Sequence, residues 1–328
     1  MVEASVGAAR ASPPLRRPVL GYTMVAVAAT LFAVNGTVAK VILASGISSL
    51  RLTEVRLTGA ALGLLAALAL VRPESLRLRR AELSFFVLFG IGGVGLVQWF
   101  YFFAIHRLPI AIALLIQYLA PLIVALWARF VMHRRIRARI WAALVLALAG
   151  LSLVVQVWQR GALDPLGVAA SLGAAVAFSL YILLAEHGVG GRDAVSLSCY
   201  GFVFGALFFA VVQPWWSFPG DIVGERVSLL GNLASAELPV WALMLSMVLL
   251  GTIAPFGLFV AALRHVPAPR LAVVAMLEPV VAALVAWAWL DESLAPVQLV
   301  GAATVLAGIF LAQTARDPET AVPTGPAA

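Results

Sequence analysis

Long apolar segments separated by short polar loops constrain this chain more than any other feature of its sequence. About 20 consecutive apolar residues form a helix that crosses the hydrocarbon core of a bilayer. Ten such segments are present, at residues 19–43, 51–71, 83–104, 108–131, 138–158, 165–185, 194–214, 240–263, 268–290 and 295–314. Apolar residues make up 63% of the 328 positions and charged residues only 11%, which excludes a soluble globular protein. The sequence therefore predicts an all-α, polytopic membrane protein with ten transmembrane helices.

The ten segments divide into two copies of a five-helix unit. A shift of 158 positions aligns the later helices of the two halves, and a shift of 146 aligns the earlier ones. The aligned pairs include Pro109 with Pro267, Pro121 with Pro279, Gly150 with Gly308, Gly21 with Gly167, Phe32 with Phe178 and Gly59 with Gly205. We therefore predict repeats at residues 19–158 and 159–314, with twelve additional residues in segment 215–238. Proline-rich tails at 1–18 and 315–328 are expected to be disordered and cytosolic.

Positively charged residues set the expected orientation. With the N-terminus inside, sixteen of the 22 Lys and Arg residues lie on the inner side and five on the outer side, while Arg56 lies within a span. Cytoplasmic loops carry such an excess, so both termini are predicted to face the cytosol, with the chain in a cell inner membrane or plasma membrane. Each repeat has an odd number of helices, so the second repeat enters the membrane from the opposite face. This arrangement predicts two inverted repeats with a binding site near the midplane.

One carboxylate stands in the middle of the ninth segment. Glu278 lies near the centre of residues 268–290, where a charge costs roughly 2.5–3.5 kcal/mol and therefore faces a protein interior or a water-filled cavity. Its repeat mate is Ala120, so any proton relay is one-sided. Two interpretations remain open: a buried structural carboxylate, or a proton-coupling residue. Pro279 follows directly, and we predict that Pro279 and Pro121 kink their helices because proline removes a backbone donor.

The second segment holds three charged residues. Arg51 and Glu54 are three positions apart and are predicted to pair on one helix face. Arg56 is two positions beyond Glu54 and points elsewhere. Either it extends toward the headgroups or ties helix ends together, or it faces the central cavity and binds a solute carboxylate or neutralises Glu278.

Neutral polar residues accompany these charges inside the apolar segments. Five of them are candidate solute ligands, because hydrogen-bonding groups beside aromatic faces suit a small organic solute with a polar end. They are Asn35, Gln98, Tyr101, Gln117 and Tyr181. The alternative is that the aromatic members only pack between helices, as most aromatic residues in membrane proteins pack or lie at the interfaces.

Several functions are excluded by what the sequence contains. The formal charge of +7 arises from loop arginines beside apolar segments and is assigned to topology, not to nucleic acid. One cysteine, Cys199, and four scattered histidines give no metal site, and no cofactor is indicated. No cluster of acids, histidines or a nucleophile with its base marks a catalytic centre.

With these residues identified, the chain resembles the EamA-type exporters of the drug/metabolite transporter superfamily. The resemblance lies in Leu277-Glu278-Pro279-Val280, Trp287-Ala288-Trp289-Leu290-Asp291-Glu292, the Ala307-Gly308 end and Arg56. It implies ten helices in two inverted halves and export of small metabolites, often amino acids, and the second half is most similar to the threonine/homoserine exporter type. The first half departs from the pattern: it has no carboxylate before Pro121, and the acidic pair Asp291-Glu292 has no counterpart there.

The function predicted from the sequence is secondary active export of small organic metabolites, amino acids or related compounds, by alternating access, with proton coupling through Glu278 as a hypothesis. Its partners are a small-molecule solute and the lipid bilayer. The alternative is an integral-membrane enzyme that acts on a lipid-linked substrate.

Overall fold

The structure is a computed structural model that describes residues 17–105, 107–108, 110–156, 158, 163–291 and 295–314. The tails expected to be disordered lie outside these residues, apart from Arg17 and Pro18. Glu292 also lies outside them.

The described chain is almost entirely helical, and its helices follow the ten apolar segments. The first repeat contributes α1 (Pro18–Ala44), α2 (Ser49–Val71), α3 (Leu83–Val87, Leu88–Gly95 and Leu96–Ile105), α4 (Ile110–Gln117 and Ala120–Phe130) and α5 (Ala138–Val155). The second contributes α6 (Pro165–Gly188), α7 (Ala194–Val212), α8 (Val240–Val248, Leu249–Ile253 and Ala254–Ala262), α9 (Ala268–Ala275 and Leu277–Leu290) and α10 (Pro296–Gln313). Among the described residues, nine of these helices are long and apolar enough to span a membrane, and α10 is a shorter apolar helix. The prediction of an all-α polytopic membrane protein is confirmed.

Packing between the helices follows the two-fold relation that inverted repeats require. α2 packs against its own repeat mate α7, and α5 packs against its mate α10. Other large contacts are exchanged between the repeats: α3 packs on α6 as α1 packs on α8, and α4 packs on α6 as α1 packs on α9. Each half therefore completes its core with the first helix of the other half.

The α5–α10 pair crosses at its glycines. A Cβ atom built on Gly301 would lie 2.6 Å from the carbonyl oxygen of Gly150 and 2.7 Å from the amide nitrogen of Val154. Only a residue without a side chain permits this backbone approach, which is the usual mode of close helix contact in membranes.

α3 and α8 each contain a π-helical segment, at Leu88–Gly95 and Leu249–Ile253. These segments overlap under the 158-residue shift, which places 91–95 on 249–253. Gly93 packs against Tyr181 of α6, and its mate Gly251 packs against Asn35 of α1, the repeat mate of Tyr181. A π-helical turn is often found at functional sites, and here it brings α3 and α8 close to the two first helices.

The sequence predicts a polar loop at 215–238. The structure places the only strands of the described chain there, and the second strand ends one residue beyond it. β1 (Arg226–Ser228) pairs antiparallel with β2 (Glu237–Pro239), with Val227 opposite Leu238. The strands were not predicted because each has only three residues and neither shows an apolar alternation. The segment in which the twelve additional residues of the second repeat are predicted thus contains a small hairpin.

Candidate solute-binding site

Two interrupted helices place a phenol next to the membrane carboxylate. α4 breaks at Tyr118 and Leu119, and α9 breaks at Met276. The segments that follow begin at Ala120 and Leu277, so Pro121 and Pro279 lie in first turns, where a missing amide proton is tolerated. The Tyr118 hydroxyl donates a hydrogen bond of 2.7 Å to Oε2 of Glu278. The carboxylate of α9 is therefore held by the broken helix of the other repeat.

Arg56 is directed into the bundle. Its side chain is buried, and its Nε donates to Oγ1 of Thr252 in the π-helical segment of α8, at 3.3 Å. The Thr252 hydroxyl in turn donates to the carbonyl oxygen of Met247 at 2.9 Å. Because Arg56 is only 8% exposed and bonds across the repeat boundary, the side chain does not extend to the headgroups.

The charged groups share one environment without a direct ion pair. Arg56 and Glu278 interact electrostatically, and Tyr101 of α3 interacts with both. Within the part of the chain that the structure describes, the ion pairs with N–O distances up to 4 Å do not include Arg56 with Glu278. The cation and the carboxylate are therefore near each other but do not form a direct ion pair.

Three of the predicted solute ligands keep an unsatisfied polar atom. Oδ1 of Asn35, Oε1 of Gln117 and the hydroxyl oxygen of Tyr181 are buried and have no hydrogen-bond partner among the described residues. Buried polar atoms in proteins nearly always have a partner, so each of these atoms needs one from water or a solute. Asn35 lies against Gly251, and the next residue, Thr252, accepts a hydrogen bond from Arg56.

Tyr181 lies in a more apolar environment than the other candidates. Its ring stacks on Phe89 at 5.5 Å and contacts Phe256 at 5.6 Å and Phe259 at 6.0 Å. Phe256 in turn meets Phe202 edge-on at 5.1 Å. These rings form an aromatic cluster, which we define as Phe89, Phe202, Phe256 and Phe259 around Tyr181.

Repeat alignment explains why one side is polar and the other aromatic. Gln98 is buried in α3, one turn before Tyr101. The polar residues Arg56, Gln98 and Tyr101 have the repeat mates Phe202, Phe256 and Phe259. Three positions that carry polar groups in the first repeat thus carry phenylalanine in the second. The pseudo-symmetric centre has one hydrogen-bonding wall and one aromatic wall.

Sequence reasoning missed Tyr118 and Thr252. It proposed Gln117 as a solute ligand and gave Tyr118 no role, and the structure shows a hydrogen bond from Tyr118 to Glu278. The signal was the repeat itself: Tyr118 lies two residues before Ala120, the mate of Glu278, and inverted repeats bring such positions together. Thr252 gave no signal, because a single threonine in an apolar segment has no distinguishing pattern.

The chain belongs to the EamA-like transporter family, which it matches twice, over residues 19–156 and 165–314. It is thus a multi-pass membrane transporter of small molecules, and the resemblance seen in its motifs is confirmed.

The sequence identity of the chain to individual relatives is low. The chain is 26% identical to the threonine/homoserine exporter RhtA of Escherichia coli strain K12 over 265 residues, which cover 80% of each protein. It is also 26% identical to an uncharacterized transporter of Archaeoglobus fulgidus over 212 residues, or 65% of this chain and 70% of the relative. A crystal structure that is 19% identical superposes with a TM-score of 0.71 over 90% of this chain and 95% of its own, which shows a common fold.

Proposed function

We propose that this protein exports small zwitterionic metabolites, with amino acids as the solute class, by alternating access. The observation that carries the proposal is a buried Arg56 and a half-buried Glu278 inside the helix bundle, with no direct ion pair between them among the described residues. An uncompensated charge inside a membrane protein is costly. A solute with one positive and one negative group offers a counter-charge to each of these residues at once.

Each wall of the site has its own part in binding. The planar guanidinium of Arg56 matches a carboxylate with two parallel donors. The free acceptors Asn35 Oδ1 and Gln117 Oε1 suit the ammonium group of the solute. Phe256 and Phe259 offer an apolar surface for its side chain. The threonine/homoserine specificity in the name of the E. coli relative supports amino acids as the class.

Glu278 is proposed to couple export to protons. It lies in the middle of α9 with one carboxylate oxygen bonded to Tyr118, and a carboxylate whose surroundings change as the site opens to either face can release its proton on one side and bind it on the other. The other acid within a membrane helix near the site, Glu54, is already paired with Arg51 at 2.6 Å. We therefore assign coupling to Glu278 alone.

Orientation follows from the loop charges. We propose that both termini face the cytosol in the inner membrane, because the loops on that side hold most of the arginines.

A thermal-shift screen followed by counterflow tests the solute class. Purified protein is first screened against amino acids and their analogues without the amine or the carboxylate, since a ligand that binds the folded state raises its apparent stability. A hit is then exchanged across liposomes that contain wild type, Arg56→Lys or Arg56→Ala. We expect exchange to be retained in part by Lys, which keeps the charge but not the planar fork, and lost with Ala.

Two outcomes would contradict the proposal. Equal thermal shifts from amino acids and from their decarboxylated analogues would show that Arg56 does not bind a solute carboxylate. Formation of a chemically altered product in the liposomes would favour the alternative, a membrane enzyme.

A further inference from the structure

An arginine at the start of α2 holds the end of α7. Nη1 of Arg51 donates to Oε2 of Glu54 at 2.6 Å and to the carbonyl oxygen of Pro214 at 3.1 Å, and Nη2 bonds to the hydroxyl of Ser217. Arg51 and Glu54 are almost completely buried, and their predicted pairing is confirmed. The segment directly after α7 is therefore fastened to the first turn of α2.

A second arginine, just before α7, holds the loop that follows α2. Nη2 of Arg192 donates to the carbonyl oxygen of Arg77 at 2.5 Å and to Oε2 of Glu82 at 3.2 Å. The first turns of α7 add two bonds to the same loop: Ser196 Oγ donates to the carbonyl oxygen of Ser75 at 2.8 Å, and the Tyr200 hydroxyl to that of Leu76 at 2.7 Å. The guanidinium of Arg192 also lies 5.1 Å from the centre of the Tyr200 ring.

The contacts of Arg51 and Arg192 both join α7 to α2 or to the loop after it, and we call these two contacts ties. The two arginines are not repeat mates. The loops after α2 and α7 correspond under the repeat, yet the mate of Arg51 is Leu197 and the mate of Arg192 is Gly46. The ties lie at opposite ends of one helix pair, and both are formed in a single conformation. Contacts that join the same two helices at both ends restrain movement of one helix relative to the other.

We propose that Arg51 and Arg192 are positioning residues that fasten α2 and α7 into one rigid pair, around which the other helices move. The proposal rests on alternating access as proposed above. Its consequence for the site is that Arg56 on α2 and its mate Phe202 on α7 keep a constant separation during transport. Arg56 and Phe202 would then belong to a fixed frame, while α4 and α9 with Tyr118 and Glu278 change position.

The contact of Glu186 with Arg134 and Ala268 differs from the two ties and serves as the comparison in the experiment below. Oε1 and Oε2 of Glu186, at the end of α6, accept bonds of 3.0 and 2.9 Å from Arg134 after α4, and Oε1 also accepts from the backbone amide of Ala268 at the start of α9. This contact joins the two broken helices to α6 at one end of the bundle only. A solute leaving through that end requires it to separate.

Reversible cross-linking distinguishes ties from gates. In a Cys199→Ala background, which removes the one native cysteine, three cysteine pairs are made: Ser75→Cys with Ser196→Cys, Arg51→Cys with Ser217→Cys, and Arg134→Cys with Glu186→Cys. Each is treated with a short thiol cross-linker and tested for solute exchange before and after reduction. We expect the first pair to exchange equally well when linked, and the second to lose exchange as a mutant and regain it when linked. The third is expected to lose exchange about tenfold or more on linking, a change that corresponds to about 1.4 kcal/mol in the barrier.

A loss of exchange on linking the first or second pair, restored by reduction, would show that these contacts open during transport and would overturn the proposal. Spin-label distances give a readout that does not depend on transport. Labels at positions 75 and 196 should report one narrow distance that solute and pH leave unchanged. A broad or two-peaked distribution there would overturn the rigid pair even if no solute is exported, and absence of exchange in the unlinked parent would count against the proposed function instead.

Discussion

Replacing Glu278 with glutamine should uncouple transport from the proton gradient. The amide keeps the shape of the side chain and can still accept the hydrogen bond from Tyr118, but it fixes the site as neutral. Proton-driven accumulation is therefore expected to stop in Glu278→Gln, while exchange of solute without a gradient continues. A solely structural carboxylate predicts that both accumulation and exchange persist, because a buried neutral amide is less costly than a buried charge.

The expected solute ratio across the membrane follows from the number of helix carboxylates that can exchange a proton. Among the described residues of the ten helices, the acids are Glu54, Glu186 and Glu278. Glu54 is paired with Arg51 at 2.6 Å, and Glu186 with Arg134 at 2.9 Å. One exchanging carboxylate moves one proton per solute. A gradient of one pH unit then supplies about 1.4 kcal/mol, which supports about a tenfold ratio of solute across the membrane.

The assay uses proteoliposomes with the membrane potential clamped and a pH difference of about one unit, at which one proton sustains about a tenfold ratio. Wild type should approach that ratio, and Glu278→Gln should stop at equal concentrations on both sides. Glu74→Gln is the matched control, since Glu74 lies exposed in the loop after α2. Normal accumulation by Glu278→Gln would refute the coupling role and leave Glu278 as a packing residue.

Three further outcomes are expected. Tyr118→Phe removes the 2.7 Å bond to the membrane carboxylate and should lower the free energy of unfolding in detergent by about 1.5–3 kcal/mol; an unchanged denaturation midpoint would contradict this. Gly301→Ala places a methyl group 2.6 Å from a carbonyl oxygen of α5 and should cost about 1–3 kcal/mol, whereas its control Gly257→Ala, with no atom within 4 Å, should be neutral or stabilising. Reporter fusions within 72–80 should give a cytosolic signal and fusions within 215–238 an external one, and a cytosolic signal from the latter would reverse the assigned orientation.

Much of the architecture could be predicted because the bilayer reduces the problem to length and hydropathy. The helix positions follow from apolar segments that must satisfy their own backbone hydrogen bonds. The repeat follows from aligned prolines, which mark helix breaks in both halves. The pairing of Arg51 with Glu54 follows from their spacing of three residues on one helix.

The details of the site depended on contacts that hydropathy does not encode. The hydrogen bond from Tyr118 to Glu278 is formed where α4 breaks, and hydropathy does not give the position of that break. The environment of Tyr181 depends on phenylalanines from three other helices. The role of Arg192, two residues outside a helix, depends on a loop more than 100 positions earlier in the chain.

The backbone of the bundle is more symmetric than its charges. The π-helical segments of α3 and α8 overlap under the 158-residue shift, at 91–95 and 249–253. Two identical halves would place every residue twice about a two-fold axis, so an arginine or a carboxylate near that axis would meet its own copy. The two repeats avoid this, because the mate of Arg56 is Phe202 and the mate of Glu278 is Ala120. Each of these charges therefore occurs once, and the site has a direction that the backbone symmetry lacks.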